Sequence, residues 1–86
     1  MDWDRLRIFH TVAEAGSFTT AARKLNISQS AASRQIRTLE LSLNVNLFNR
    51  HARGLVMTQE GEQLYHAARE VMHKLEAVEQ SLLDAK

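Results

Sequence analysis

The stretch GSFTTAARKLNISQSAASRQIRTLELSLN, residues 16–44, decides the fold. Gly16 suits the left-handed position that closes a preceding helix, and Ser17 can accept from the first free amides of the next one. In that short second helix, about two turns long, Ala21, Ala22 and Leu25 form a small apolar face before Asn26 stops it. Ile27 is expected to pack inward from the turn, and Ser28 to cap a third helix. There Ala32, Ile36, Leu39 and Leu43 recur at spacings of four, three and four, within roughly 60° of one another at 100° per residue. Asn44 can take the left-handed conformation that ends it.

Upstream, Leu6, Phe9, Val12 and Ala13 repeat at helical spacing behind Asp2 or Asp4, either of which can cap a first helix. Downstream, Leu47 and Phe48, then Leu55, Val56 and Met57, flank the polar run 49–54. This pattern predicts a small β-hairpin with Arg50, His51 and Arg53 at its tip. Thr58 with Gln59, Glu60 and Gly61 starts a fourth helix of roughly 26 residues, about 39 Å long at 1.5 Å per residue. Its residues Leu64, Ala68, Val71, Leu75, Val78 and Leu82 follow a heptad seam, and so long a helix outruns the small domain before it.

The 86 residues include no cysteine and no proline, and 44% are hydrophobic. Thiolate chemistry is excluded, and a chain this short is expected to gain stability from packing or a partner. No run reaches the ~18 apolar residues of a membrane span, so the reading is a cytoplasmic chain with no membrane partner. The formal net charge is only +1, but it is unevenly distributed. Between positions 16 and 59, Arg23, Lys24, Arg34, Arg37, Arg50 and Arg53 face the single acid Glu40, a net of +5, while residues 60–86 net −3.

Two helices joined by the turn of Asn26, Ile27 and Ser28 follow the helix-turn-helix plan. Opposite the apolar stripe of the third helix lie Ser30, Ser33, Arg34 and Arg37. This face could be no more than the wet side of an amphipathic helix. A solvated face usually mixes signs, however, whereas this one has no acid in its first three turns and carries residue types that read base edges, Gln29 among them. A basic hairpin beyond it could reach a phosphate backbone or a minor groove. A protein-docking module of the same shape would not need such a face.

The run Gly16, Ser17, Phe18 with Ala21, Ala22 and Leu25 is one part of a longer pattern. Ser28 to Ala31 with Ser33 to Ile36, Leu39 and Glu40, then Leu47 and Phe48 with Arg50, and Thr58 with Gly61, complete it. Together these resemble the N-terminal DNA-binding domain of the LysR-type transcriptional regulators. The resemblance implies a mainly α winged helix-turn-helix over residues 1–58 and a linker helix for dimerisation over 59–86. It implies double-stranded DNA as partner, with bases met by Gln29, Ser30, Ser33, Arg34 and Arg37, and backbone or minor groove met by Ser28, Thr19, Arg50 and Arg53. A homodimer through antiparallel linker helices, built on Leu64, Ala68, Val71, Leu75, Val78 and Leu82, follows, with higher oligomers open to the full-length protein. Asn44 stands where the family usually has glycine, and Ser30 where many members have proline. Members continue into an effector-binding domain, so the chain reads as a fragment, with no cofactor of its own and a small-molecule inducer bound by the absent C-terminal domain.

No catalytic site is expected. Ser17, Ser28 and Ser33 have no histidine and aspartate arranged to activate them, and His66 and His73 lack a third ligand for a metal. His10 is expected on the surface of the first helix. Trp3, Phe9, Phe18, Phe48 and Tyr65 are expected in core and interface rather than as a base-stacking platform.

Overall fold

Asp2, Ser17, Ser28 and Thr58 each lie in extended backbone and accept from the amide three residues on: Arg5 at 3.2 Å, and Thr20, Ala31 and Gly61 at 3.0 Å. These four caps start α1 (Trp3–Ala15), α2 (Phe18–Leu25), α3 (Gln29–Leu43) and α4 (Gln59–Asp84). The computed structural model describes residues 1–49 and 54–85. Gly16, Asn26 and Asn44, with φ of 74°, 58° and 57°, close the first three helices as the sequence predicts.

The core gathers Ile8, Phe9 and Val12 of α1, Ala21 of α2, Ile36 and Leu39 of α3, and Leu47 and Phe48 beyond α3. The ring of Phe48 lies 5.5 Å from that of Phe9 and meets Phe18 edge-on at 5.9 Å. Ala21, Ala22 and Ala32 are buried where α2 and α3 meet, so the two backbones can approach closely. Ile27 is 37% exposed, contrary to expectation. The corner is closed by backbone, the Ile27 amide donating to the Ala22 carbonyl at 3.0 Å.

Glu40 is buried at the last turn of α3, 2% exposed, with its Oε2 accepting from the amides of Leu47 at 2.7 Å and Phe48 at 3.3 Å. On the other side of this segment, the Thr58 amide donates to the Leu47 carbonyl at 3.0 Å and its hydroxyl to the Asn46 carbonyl at 2.6 Å. The Leu47 amide is thus committed to Glu40, while its carbonyl bond to Thr58 is one of the two that make the antiparallel bridge of Phe48 to Met57. Of the expected hairpin, the described residues show this bridge, whose second bond is the Asn49 amide donating to the Val56 carbonyl at 2.8 Å. The expected tip, Arg50, His51 and Arg53, lies outside the described residues. Gly61 is buried against the Leu47 carbonyl, where a Cβ would collide with backbone.

Replacing Glu40 by alanine leaves two buried amide donors without this acceptor, at about 1–3 kcal/mol for each group left unsatisfied. Urea unfolding should show Glu40→Ala markedly less stable than Glu40→Gln, which retains a carbonyl acceptor. Gly61→Ala should also lower the unfolding midpoint, because the neighbour that must move is backbone rather than a flexible side chain.

Candidate nucleic-acid interface

The apolar stripe of α3 turns Ala32, Ile36 and Leu39 fully inward, and this fixes what the helix shows outside. Gln29, Ser30, Arg34 and Arg37 are exposed on it and Ser33 is half-buried. Neither guanidinium is paired with an acid among the described residues. The one acid of α3, Glu40, points into the core, so the exposed face of the helix is wholly neutral or basic. Sequence reasoning counted Glu40 as the lone acid and missed its burial. The signal was available: at 100° per residue it sits at the margin of the apolar stripe, four residues after Ile36 and three before Leu43.

The polar side chains at the start of α3 are held by local bonds. Ser28 Oγ accepts from the Ala31 amide and lies 3.3 Å from Ser30 Oγ, where either hydroxyl can donate. Thr19 Oγ1, in the first turn of α2, donates to Gln29 Oε1 at 3.2 Å. Thr19 and Gln29 also line an open cleft of about 390 Å³, with Ser17, Phe18, Asn49 and Leu55 among its walls. A second bond missed from sequence, Arg5 Nε donating to Gln35 Oε1 at 3.0 Å, ties α1 to α3 behind the exposed face. Arg50 and Arg53 lie outside the described residues.

The seam of α4 divides into two parts. Ala68 is buried and Leu64 packs against the core, so these two are used within the chain itself, because they lie over α1 and the segment after α3. Ala68 therefore does not belong to a free surface. Beyond it exposure climbs along the helix, from 39% at Val71 through 51% at Leu75 and 56% at Val78 to 63% at Leu82. This apolar stripe is left largely exposed by the described residues.

His10 is more enclosed than expected, its side chain 18% exposed and its ring stacked on Tyr65 at 5.7 Å and 15°. Its Nε2 stands 3.5 Å from Glu14 Oε1 without hydrogen-bond geometry. Of the aromatic residues, Phe9 and Phe48 are core, Phe18 and Tyr65 half-buried, and Trp3 46% exposed. Among the described residues no three acidic, histidine or cysteine side chains are grouped to hold a metal, and no helix is long and apolar enough to cross a membrane.

Residues 3–62 match the family described as bacterial regulatory helix-turn-helix protein, lysR family. The chain is 48% identical over 84 residues to the HTH-type transcriptional regulator AbaB of Streptomyces antibioticus, covering 98% of this chain and 28% of that protein. It is 40% identical over 80 residues to the HTH-type transcriptional regulator CrgA of Neisseria meningitidis, covering 93% of this chain and 27% of that one. The chain thus spans little more than a quarter of the length of these relatives, both of them regulators by name, as the reading against an enzyme expected. It superposes with a TM-score of 0.87 on the BenM DBD in its benA site 1 DNA complex, at 35% identity, covering 99% of this chain and 96% of that one. With the order of caps, helices and turn on which these matches run, the chain belongs to the lysR family of bacterial regulatory helix-turn-helix proteins.

Proposed function

We propose that this chain is the DNA-binding end of a transcriptional regulator and binds duplex DNA sequence-specifically as a homodimer. The observation that carries the reading is the exposed face of α3, where Arg34 and Arg37 stand unpaired and the only acid of the helix is turned inward. An acid-free face on a helix held by its neighbours suits the major groove, where arginine can pair with the O6 and N7 of guanine. The solved BenM DBD complex, which contains DNA, supports the same use of a closely similar fold. Gln29, Ser30, Ser33, Arg34 and Arg37 are assigned to base edges. Ser28, Thr19 and, from the sequence alone, Arg50 and Arg53 are assigned to the backbone or minor groove.

The dimer reading rests on the uncovered stripe of Val71, Leu75, Val78 and Leu82. Burying side chains of this size is worth about 1.5–3 kcal/mol each before association costs. Two antiparallel α4 helices would cover both stripes and relate the two reading helices by a two-fold axis, matching a partly palindromic site. A small-molecule inducer is assigned to a C-terminal domain of the longer protein.

Selection from randomised duplex DNA tests the reading directly and should enrich a partly palindromic motif. Affinity for that motif should fall steeply as salt rises, with a logarithmic slope of about −0.9 per phosphate neutralised. Arg34→Ala should cost about 1–3 kcal/mol on the motif and flatten one base-pair position, where loss of a phosphate contact would weaken all sequences alike. In sedimentation at tens of micromolar, the parent chain should run as a dimer, and Leu75→Glu and Val78→Glu as monomers that remain folded. A monomeric parent, both free and on DNA, counts against the dimer.

A further inference from the structure

We propose that Thr19 is a specificity-determining positioning residue: its hydroxyl fixes which end of the Gln29 amide faces the DNA. The inference rests on the DNA-binding reading and assigns Thr19 a role apart from any phosphate contact. A glutamine amide has an acceptor end and a donor end, and a free side chain can turn either toward a base. Pairing with the N6 and N7 of adenine uses both ends at once. Here the Thr19 hydroxyl donates to Gln29 Oε1 at 3.2 Å, which draws the carbonyl toward α2 and leaves the Nε2 protons leading outward. Gln29 then meets the groove as a donor, complementary to purine N7, guanine O6 or thymine O4.

Both ends of this bond stand on fixed backbone. Thr19 follows the Ser17 cap and Phe18, whose ring is anchored edge-on against Phe48 at 5.9 Å. Gln29 is the first residue of α3 and directly follows the Ser28 cap. The neighbouring pair, Ser28 and Ser30, cannot sort donor from acceptor in this way, because either hydroxyl can donate to the other. When DNA covers the face and excludes water, the bond between Thr19 and Gln29 strengthens, so the orientation it sets is kept at the moment of reading.

The test is selection from randomised duplexes with the parent chain, Thr19→Val, Thr19→Ser, Gln29→Ala and the double variant Thr19→Val/Gln29→Ala. Thr19 is exposed, and unchanged thermal unfolding of Thr19→Val confirms that the fold is intact. Gln29→Ala marks the base pair that Gln29 reads. Thr19→Val, which keeps the shape and removes the hydroxyl, should flatten preference at that pair by on the order of fivefold. The position marked by Arg34→Ala should stay as it was. Thr19→Ser should keep the parent preference, and the double variant should lose no more specificity than Gln29→Ala alone. The proposal is overturned if Thr19→Val leaves the preference at that pair unchanged, whatever it does to affinity overall, if the two losses of preference add, or if Gln29→Ala changes no position. A parent chain that enriches no sequence overturns the DNA-binding reading itself, an outcome distinct from these.

Discussion

The buried carboxylate of Glu40 is the contact on which the arrangement of this chain turns. A carboxylate out of water is costly unless its oxygens are satisfied, and here backbone amides of Leu47 and Phe48 supply the hydrogen bonds. Holding those two amides places Phe48 between Phe9 and Phe18, where it completes the core from the far side of α3. It also sets the Leu47 carbonyl where Thr58 can take it and Gly61 can lie against it, so α4 starts at a defined place. The electrostatic consequence is as large as the structural one. Between residues 16 and 59 the chain has one acid, and that acid is inside, so the surface of this segment carries basic charge undiluted.

Much of this was legible in the sequence because the signals are local. A serine, threonine or aspartate accepting from an amide three residues on, and an asparagine or glycine at positive φ, act within a single turn and do not depend on the rest of the fold. The starts of the four helices therefore follow from Asp2, Ser17, Ser28 and Thr58, and the ends of the first three from Gly16, Asn26 and Asn44. What escaped depends on contacts between distant parts. Ile27 has the composition of a core residue, but whether it finds room depends on how closely the alanines of α2 and α3 let those helices approach. His10 is covered by Tyr65, 55 positions away, and the bond between Thr19 and Gln29 exists only because two helix starts converge.

The same distinction governs the wing segment. Short apolar pieces either side of a polar run are a signal for a hairpin, and the described residues show the base of that segment paired. Leu47 gives its amide to Glu40 and its carbonyl to Thr58, and the second of these bonds, with that from Asn49 to Val56, makes the bridge of Phe48 to Met57. The residue that anchors α3 to the start of α4 is thus also the one that holds the base of the wing segment together.

The long helix shows why a hydrophobic seam read from sequence needs the fold to interpret it. Six residues repeat with one period, but the period cannot say which of them the chain itself will cover. Among the described residues Ala68 is the last buried one on α4, and past it the exposure of the seam rises step by step toward the end of the helix. A stripe that belonged wholly to the core would fade in the same direction by becoming polar; this one keeps valine and leucine in its most exposed turns. Water around Leu75, Val78 and Leu82 is unfavourable for the isolated chain, and the proposed antiparallel pairing of two α4 helices would remove it from both copies at once. The part of α4 that packs on the core fixes the helix to the rest of the chain, and in the proposed dimer the exposed part would seat the second copy, so that one helix would set the spacing of the two α3 faces.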